Sequence, residues 1–264
     1  FLLREDGLAL TLPGQADTKG KAIRSTSTTK FESMATPARD WRQSMKIFAV
    51  FAFVVAVVAF SPVSVALSGE NAVFSNERFL QKLLDGNRRY VDGRPTHPNQ
   101  TPERRNQAVK GQHPFAVVVS CSDSRVPPEI IFDQGIGDLF VVRVAGNIVD
   151  DAGLGSIEYA VEHLHVSLIV VLGHERCGAV DAAVKGGEVP GHIKSLVEAI
   201  RPAVEKVRGQ PGEVAENAMR TNVKMVVDHL KASKPILEHL VHTGTVAVVG
   251  ARYDLDDGMV TTIP

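Results

Sequence analysis

The sequence predicts an α/β fold: a central, mostly parallel β-sheet flanked by helices, with an N-terminal helical arm. Three observations predict it. Four short β-branched runs, FAVVVS (115–120), LFVVRV (139–144), LIVVLG (168–173) and TVAVVG (245–250), are almost continuously apolar, the pattern of strands buried on both faces. Helical patterns separate them at about 126–133, 154–165, 178–185, 192–207 and 212–230, and strands joined through helical crossovers run parallel. The 264 residues are 44% apolar, with 22 Gly and 14 Pro scattered rather than repeated, which excludes a disordered or collagen-like chain.

Taken in order, residues 1–44 are rich in Ser, Thr, Lys and Arg and lack any sustained period, so they are expected to lie outside the core. Residues 45–69 follow Arg42 with Lys46 and the apolar run IFAVFAFVVAVVAF, then Ser64-Val65-Ala66. That order is expected of a secretory signal cleaved after Ala66. The uncharged stretch 47–69 is also long enough to serve as an uncleaved membrane anchor. Either version places the remaining domain, residues 72–264, in an exported, periplasmic or lumenal space, with any membrane contact made through 47–69; a buried core helix is the remaining reading of the stretch.

From Asn76, Phe79, Leu83, Leu84 and Tyr90 fall at helical spacing and Gly93 ends the run, so an amphipathic arm is expected there. PTHPNQTPERR reads as a Pro-rich connection. The strands and helices named above follow, and sites in such folds gather at the carboxyl ends of the strands.

Twenty-nine Lys and Arg against 30 Asp and Glu leave a net charge of -1, which offers no basic field for a nucleic acid. No Gly-x-Gly-x-x-Gly follows the first strand, and no phosphate-binding loop ending in Gly-Lys-Ser/Thr occurs. The chemistry is concentrated elsewhere. The first strand ends in Ser120-Cys121-Ser122-Asp123-Ser124-Arg125 and the third in Gly173-His174-Glu175-Arg176-Cys177-Gly178.

Two thiolates and an imidazole on neighbouring strand ends suit Zn2+, one per chain, and three protein ligands leave a fourth position for water. Two other readings of the cysteines stand beside this one: a Cys121–Cys177 disulfide in an exported chain, or two inert buried thiols. Asp123 either pairs with Arg125, which would hold it as an anion, or closes the metal site as a fourth ligand.

CSDSRVPPEIIFDQGIGDLFVVRVAGN, followed by IEYAVEHLHVSLIVVLGHERCGAV and the C-terminal VGARYDLDDGMV, resembles the β-class carbonic anhydrases from about residue 76 to 264. The resemblance implies that Cys121, His174 and Cys177 are zinc ligands and that Asp123 and Arg125 form the catalytic pair. It implies reversible hydration of CO2 to bicarbonate and a proton, in a homodimer or larger homo-oligomer with sites near a subunit interface. It also implies two forms of the site, open with Asp123 on Arg125 and closed with Asp123 on the metal. We expect the open form above about pH 8.

Gln134, Gly146, Asn147 and Gly178 are candidate substrate-binding residues. Gln134 stands one place before the position where plant members carry a glutamine, which here is Gly135. His163, His165 and His192 are proton-shuttle candidates by residue type alone. Two alternatives stand beside this function: hydrolysis of CS2 or COS on the same zinc, and a noncatalytic zinc protein sensing bicarbonate or serving as a scaffold. A thiol redox protein is disfavoured because no Cys-x-x-Cys is present.

Overall fold

The computed structural model describes the backbone of residues 63–264 and the side chains of residues 75–264. The chain divides into two units, Phe1–Ala59 and Phe60–Pro264, and everything described belongs to the second. The expected non-core segment 1–44 and most of the expected signal or anchor therefore lie outside the described residues.

Helix α1 (Val63–Val91) is the expected arm, but it starts well before Asn76, and Ser64–Ala66, where cleavage was expected, falls in its first turn. Phe79, Leu80, Leu83, Leu84 and Tyr90 turn to the core, and Gly93 in the left-handed region (φ 65) ends the run. The Pro-rich connection holds one short helix, α2 (Pro102–Ala108). Thr101 caps it by accepting from the Arg104 N–H, and proline sits at its first position, a start signal present in TPERR but attached to too few residues to show a period.

The sheet is built from β1 (Ala116–Ser120), β2 (Leu139–Arg143), β3 (Leu168–His174), β4 (Ala247–Tyr253) and β5 (Val260–Ile263). Its order is β2-β1-β3-β4-β5. The first four strands are parallel and β5 returns antiparallel on β4. The sequence pattern did not indicate β5, a four-residue hairpin arm whose only buried residues are Val260 and Ile263.

β1 and β3 are buried along their whole length, as continuous apolar runs require. Their side chains alternate between two cores. Val117, Val119, Ile169 and Val171 face one, while Ala116, Val118, Leu168, Val170 and Leu172 face the other, under α1 and α3 (Pro128–Ile131). β2 departs from the expected two-sided burial: it is only half-buried because it forms the sheet edge.

The first core is closed by α4 (Asp151–Leu164), α5 (Gly178–Lys185), α6 (Ile193–Val207), α7 (Val214–Lys231) and α8 (Leu237–His242). Asp150 caps α4 through the Gly153 N–H, and His165 ends it in the left-handed region. Two glycines let α7 approach the sheet. A Cβ on Gly173 would lie 2.5 Å from Val223 Cγ2 and 2.8 Å from Met219 Sδ, and one on Gly250 2.9 Å from Val223 Cγ1.

Candidate metal centre

The chain leaves β1 towards one side of the sheet to make β2 and returns on the other side to make β3. The carboxyl ends of β1 and β3 therefore flank a topological switch point, where an open α/β sheet forms a crevice. Cys121 follows β1 directly, His174 is the last residue of β3, and Cys177 stands at the N-terminus of α5. In-register pairing of Ser120 with Leu172 brings the first two to the same level.

One sulfur from each cysteine and one ring nitrogen of His174 lie within 4.8 Å of one another, and all three residues are buried. The sulfurs are 3.9 Å apart and both thiols are free, so no disulfide joins them. Two thiolates on one tetrahedral zinc, at about 2.3 Å each, would stand about 3.8 Å apart. The histidine is set up in the same sense. His174 Nδ1 donates to the Glu175 carbonyl at 2.8 Å, which turns Nε2 inward, and Nε2 is buried without a hydrogen-bond partner. A buried imidazole nitrogen without a hydrogen-bond partner, facing two sulfurs, fits a soft divalent cation.

Cys121 is the more acidic thiol. The hydrogen bond it shares with Cys177 pulls its pKa down from the usual thiol value, the neighbouring His174 ring and the Gly146 and Asp123 N–H groups at 3.2 and 3.4 Å act in the same direction, and burial opposes them. Cys177 moves upward because its proton is committed to Cys121 and because it is buried. Holding zinc as two thiolates would require both thiols to give up their protons.

Asp123 and Arg125 pair as the sequence suggested. Asp123 Oδ1 accepts from Arg125 N–H at 2.9 Å and Nε at 3.0 Å, and Oδ2 accepts from Nη2 at 2.7 Å. The guanidinium holds the carboxyl at about 2, so Asp123 is an anion at any working pH. Its Oδ2 also lies 3.8 Å from His174 Nε2, at the mouth of the crevice. Arg125 reaches across to the Arg176 carbonyl, tying the β1 loop to the β3 loop.

The remaining candidates separate. Gly146 and Asn147 come to the site in a 3-10 turn (Ala145–Asn147) after β2, both in the left-handed region. Gly146 acts there through its amide on Cys121, and Asn147 Nδ2 is buried without a partner. Gly178 is exposed beside Cys177, and a Cβ on it would meet nothing within 4 Å.

Gln134 is not gathered with this group in a single chain. It is buried, donates to the Phe132 carbonyl, and lines a separate cavity of about 410 Å³ with Gln100, Glu129 and Ile136. His163 stacks near Tyr159 at the end of α4, His165 caps that helix, and His192 precedes α6; none joins the cysteine–histidine set.

Sequence reasoning passed over Arg143 and Asn222. Arg143 donates to the Cys121 and Asp123 carbonyls at 3.0 and 2.6 Å and braces the loop between them. The available signal was a charge closing the apolar run LFVVR at a strand's carboxyl end. Asn222 had no such signal, since one amide in a helical pattern looks like any surface residue.

The Carbonic anhydrase family profile matches residues 116–260. Over 180 residues, 67% of this chain and 87% of the relative, the sequence is 46% identical to carbonic anhydrase 2 of Mycobacterium tuberculosis. It is 47% identical over 182 residues to the carbonic anhydrase of Mycolicibacterium smegmatis, covering 67% of this chain and 88% of that one.

Among solved structures, one of two tetrameric β-carbonic anhydrases of Sordaria macrospora superposes with a TM-score of 0.57 at 27% identity, over 62% of this chain and 87% of that chain. A Coccomyxa β-carbonic anhydrase in complex with acetazolamide gives 0.55 at 26% identity, over 69% and 84%. Sequence profile, relatives, sheet order and the cysteine–histidine–cysteine crevice agree, and the chain belongs to the β-class carbonic anhydrase family.

Proposed function

We propose that this chain is a zinc-dependent carbonic anhydrase that interconverts CO2 and bicarbonate, releasing or taking up a proton. The observation that carries this function is the convergence of Cys121, His174 and Cys177 beside an anion, Asp123, that Arg125 prevents from being protonated. Zn2+ held by these three residues supplies an electrophilic centre and makes water ionisable near neutral pH.

The protein does the rest by position. Asp123 as an anion can only accept a hydrogen bond, so it would accept from the water that zinc activates and thereby orient it towards CO2. Arg125 fixes the carboxylate through two parallel donors and limits its swing towards the metal. The Glu175 carbonyl keeps His174 in the tautomer that presents Nε2. The test is stopped-flow CO2 hydration with zinc quantified in the same sample. Activity at about one zinc per chain, lost with the zinc in Cys177→Ala, is the expected result; one zinc per chain without hydration would overturn the proposal.

Two further features belong to the same proposal. A homodimer or larger homo-oligomer is supported by β2, an edge strand whose Leu139–Val142 segment is apolar and half-buried, since such an edge pairs with another chain unless something covers it. Export through residues 45–69, by a cleaved signal or an anchor, is supported by the basic residues before an uncharged run. No helix among the described residues is long and apolar enough to cross a membrane. N-terminal sequencing of the protein recovered from fractionated cells tests export.

A further inference from the structure

Asn222 lies on the buried face of α7 among Ala218, Met219, Val223, Val226 and Val227, the single polar member of that face. An amide in such a place costs stability unless it holds something. It holds the Gly146 carbonyl, to which its Nδ2 donates at 2.9 Å. The N–H of the same glycine donates to Cys121 Sγ at 3.2 Å.

Gly146 is thus gripped at both ends, in a conformation (φ 74) that other residues rarely adopt. A Cβ there would lie 2.6 Å from Ile200 Cδ1 and 3.2 Å from Ala179 Cβ, so α5 and α6 close the glycine in from the other side. Gly173 lets α7 come near enough for the Asn222 amide to reach the turn.

We propose that Asn222 is a positioning residue for the metal centre: it aims the Gly146 amide at the Cys121 sulfur and thereby sets how tightly, and with how much charge, that thiolate binds zinc. An N–H directed at a sulfur stabilises it as the thiolate that a cation binds and lowers the energy of its lone pairs, and partners of this kind typically change metal affinity 10- to 100-fold. The inference rests on Cys121, His174 and Cys177 being the zinc site.

The experiment measures zinc affinity by competition with a chromophoric chelator, and the thiolate-to-metal absorption of the Co2+-substituted protein, in wild type and in Asn222→Leu. Leucine keeps the branched outline of the side chain but cannot donate. The expected result is about tenfold weaker zinc binding, with the cobalt–thiolate band moved to lower energy. Gly146→Ala, with Asn222 intact, is expected to move the band as well, because its Cβ displaces the same turn.

Unchanged affinity and an unmoved band in folded Asn222→Leu would overturn the proposal. Weaker binding with an unmoved band would overturn it too, since that pattern belongs to a residue that only stabilises the fold. Should the leucine variant fail to fold, Asn222→Ser is judged by the same two readouts. A wild-type protein that takes up no zinc would instead overturn the assignment of the site.

Discussion

Asp123 shows how one side chain is given one function. Arg125 engages both of its oxygens, and the depressed pKa keeps it charged far below the working range. Asp123→Asn keeps the shape but loses the charge and turns part of the group into a donor. It should retain one zinc per chain and lose roughly 10- to 100-fold in CO2 hydration, measured by stopped flow beside metal analysis. The zinc-loaded protein crystallised at pH 8 or above should keep Asp123 on Arg125, and a carboxylate within bonding distance of zinc there would contradict the open form.

Asp133 carries a separate, structural pH dependence. Burial pushes its carboxyl up. Thr96 N–H, Arg89 Nε, His97 N–H and the Thr96 hydroxyl, all donating to it, outweigh burial and leave it at about 2. A carboxyl depressed from 3.8 to about 2 stabilises the fold fully above its unfolded value, and the contribution disappears as pH falls from about 4 through 2. The contribution is on the order of 2 kcal/mol. Asp133→Asn should therefore unfold at lower urea concentration than wild type at pH 7, and the gap should narrow steadily on acidification below pH 4. A gap independent of pH would refute this account.

Among the elements, α7 couples the fold to the site. Its apolar face rests on β3 and β4 only because Gly173 and Gly250 leave room for Val223 and Met219. Gly173→Ala should cost about 1–3 kcal/mol by overpacking. Because Gly173 adjoins His174 on β3, zinc affinity should fall along with the melting temperature, measured by chelator competition and calorimetry. β1 and β3 were legible in the sequence because strands buried on both faces leave an unbroken apolar run. The start of β4 was legible, but Gly250 and Arg252 interrupt its run, and the observed strand continues to Tyr253 because β3 and β5 both pair with it. α2, α8 and β5 are too short for a period to emerge from four to seven residues.

For the whole molecule, the exposed edge of the sheet predicts association. Val141→Lys places a charge on β2, where two copies would have to approach. It is expected to shift the protein towards monomer by light scattering while leaving zinc stoichiometry unchanged. An oligomer of unchanged size would remove β2 from the interface.

At this scale the division between sequence and tertiary structure is clear. The sequence by itself determined the chemistry, the class of fold and the family resemblance. Cys121, Asp123, Arg125, His174 and Cys177 are placed at strand ends by local apolar runs, and their residue types dictate what they can bind. Only the tertiary structure decided which groups support them. Gly146 reaches Cys121 across 25 residues, Asn222 reaches Gly146 across 76, and Gln134, three residues beyond Ile131, faces another cavity. Local sequence encodes the path of the chain along one element. The contacts that tune a thiolate or orient an amide depend on how close two elements pack, and here two glycines under one helix set that distance.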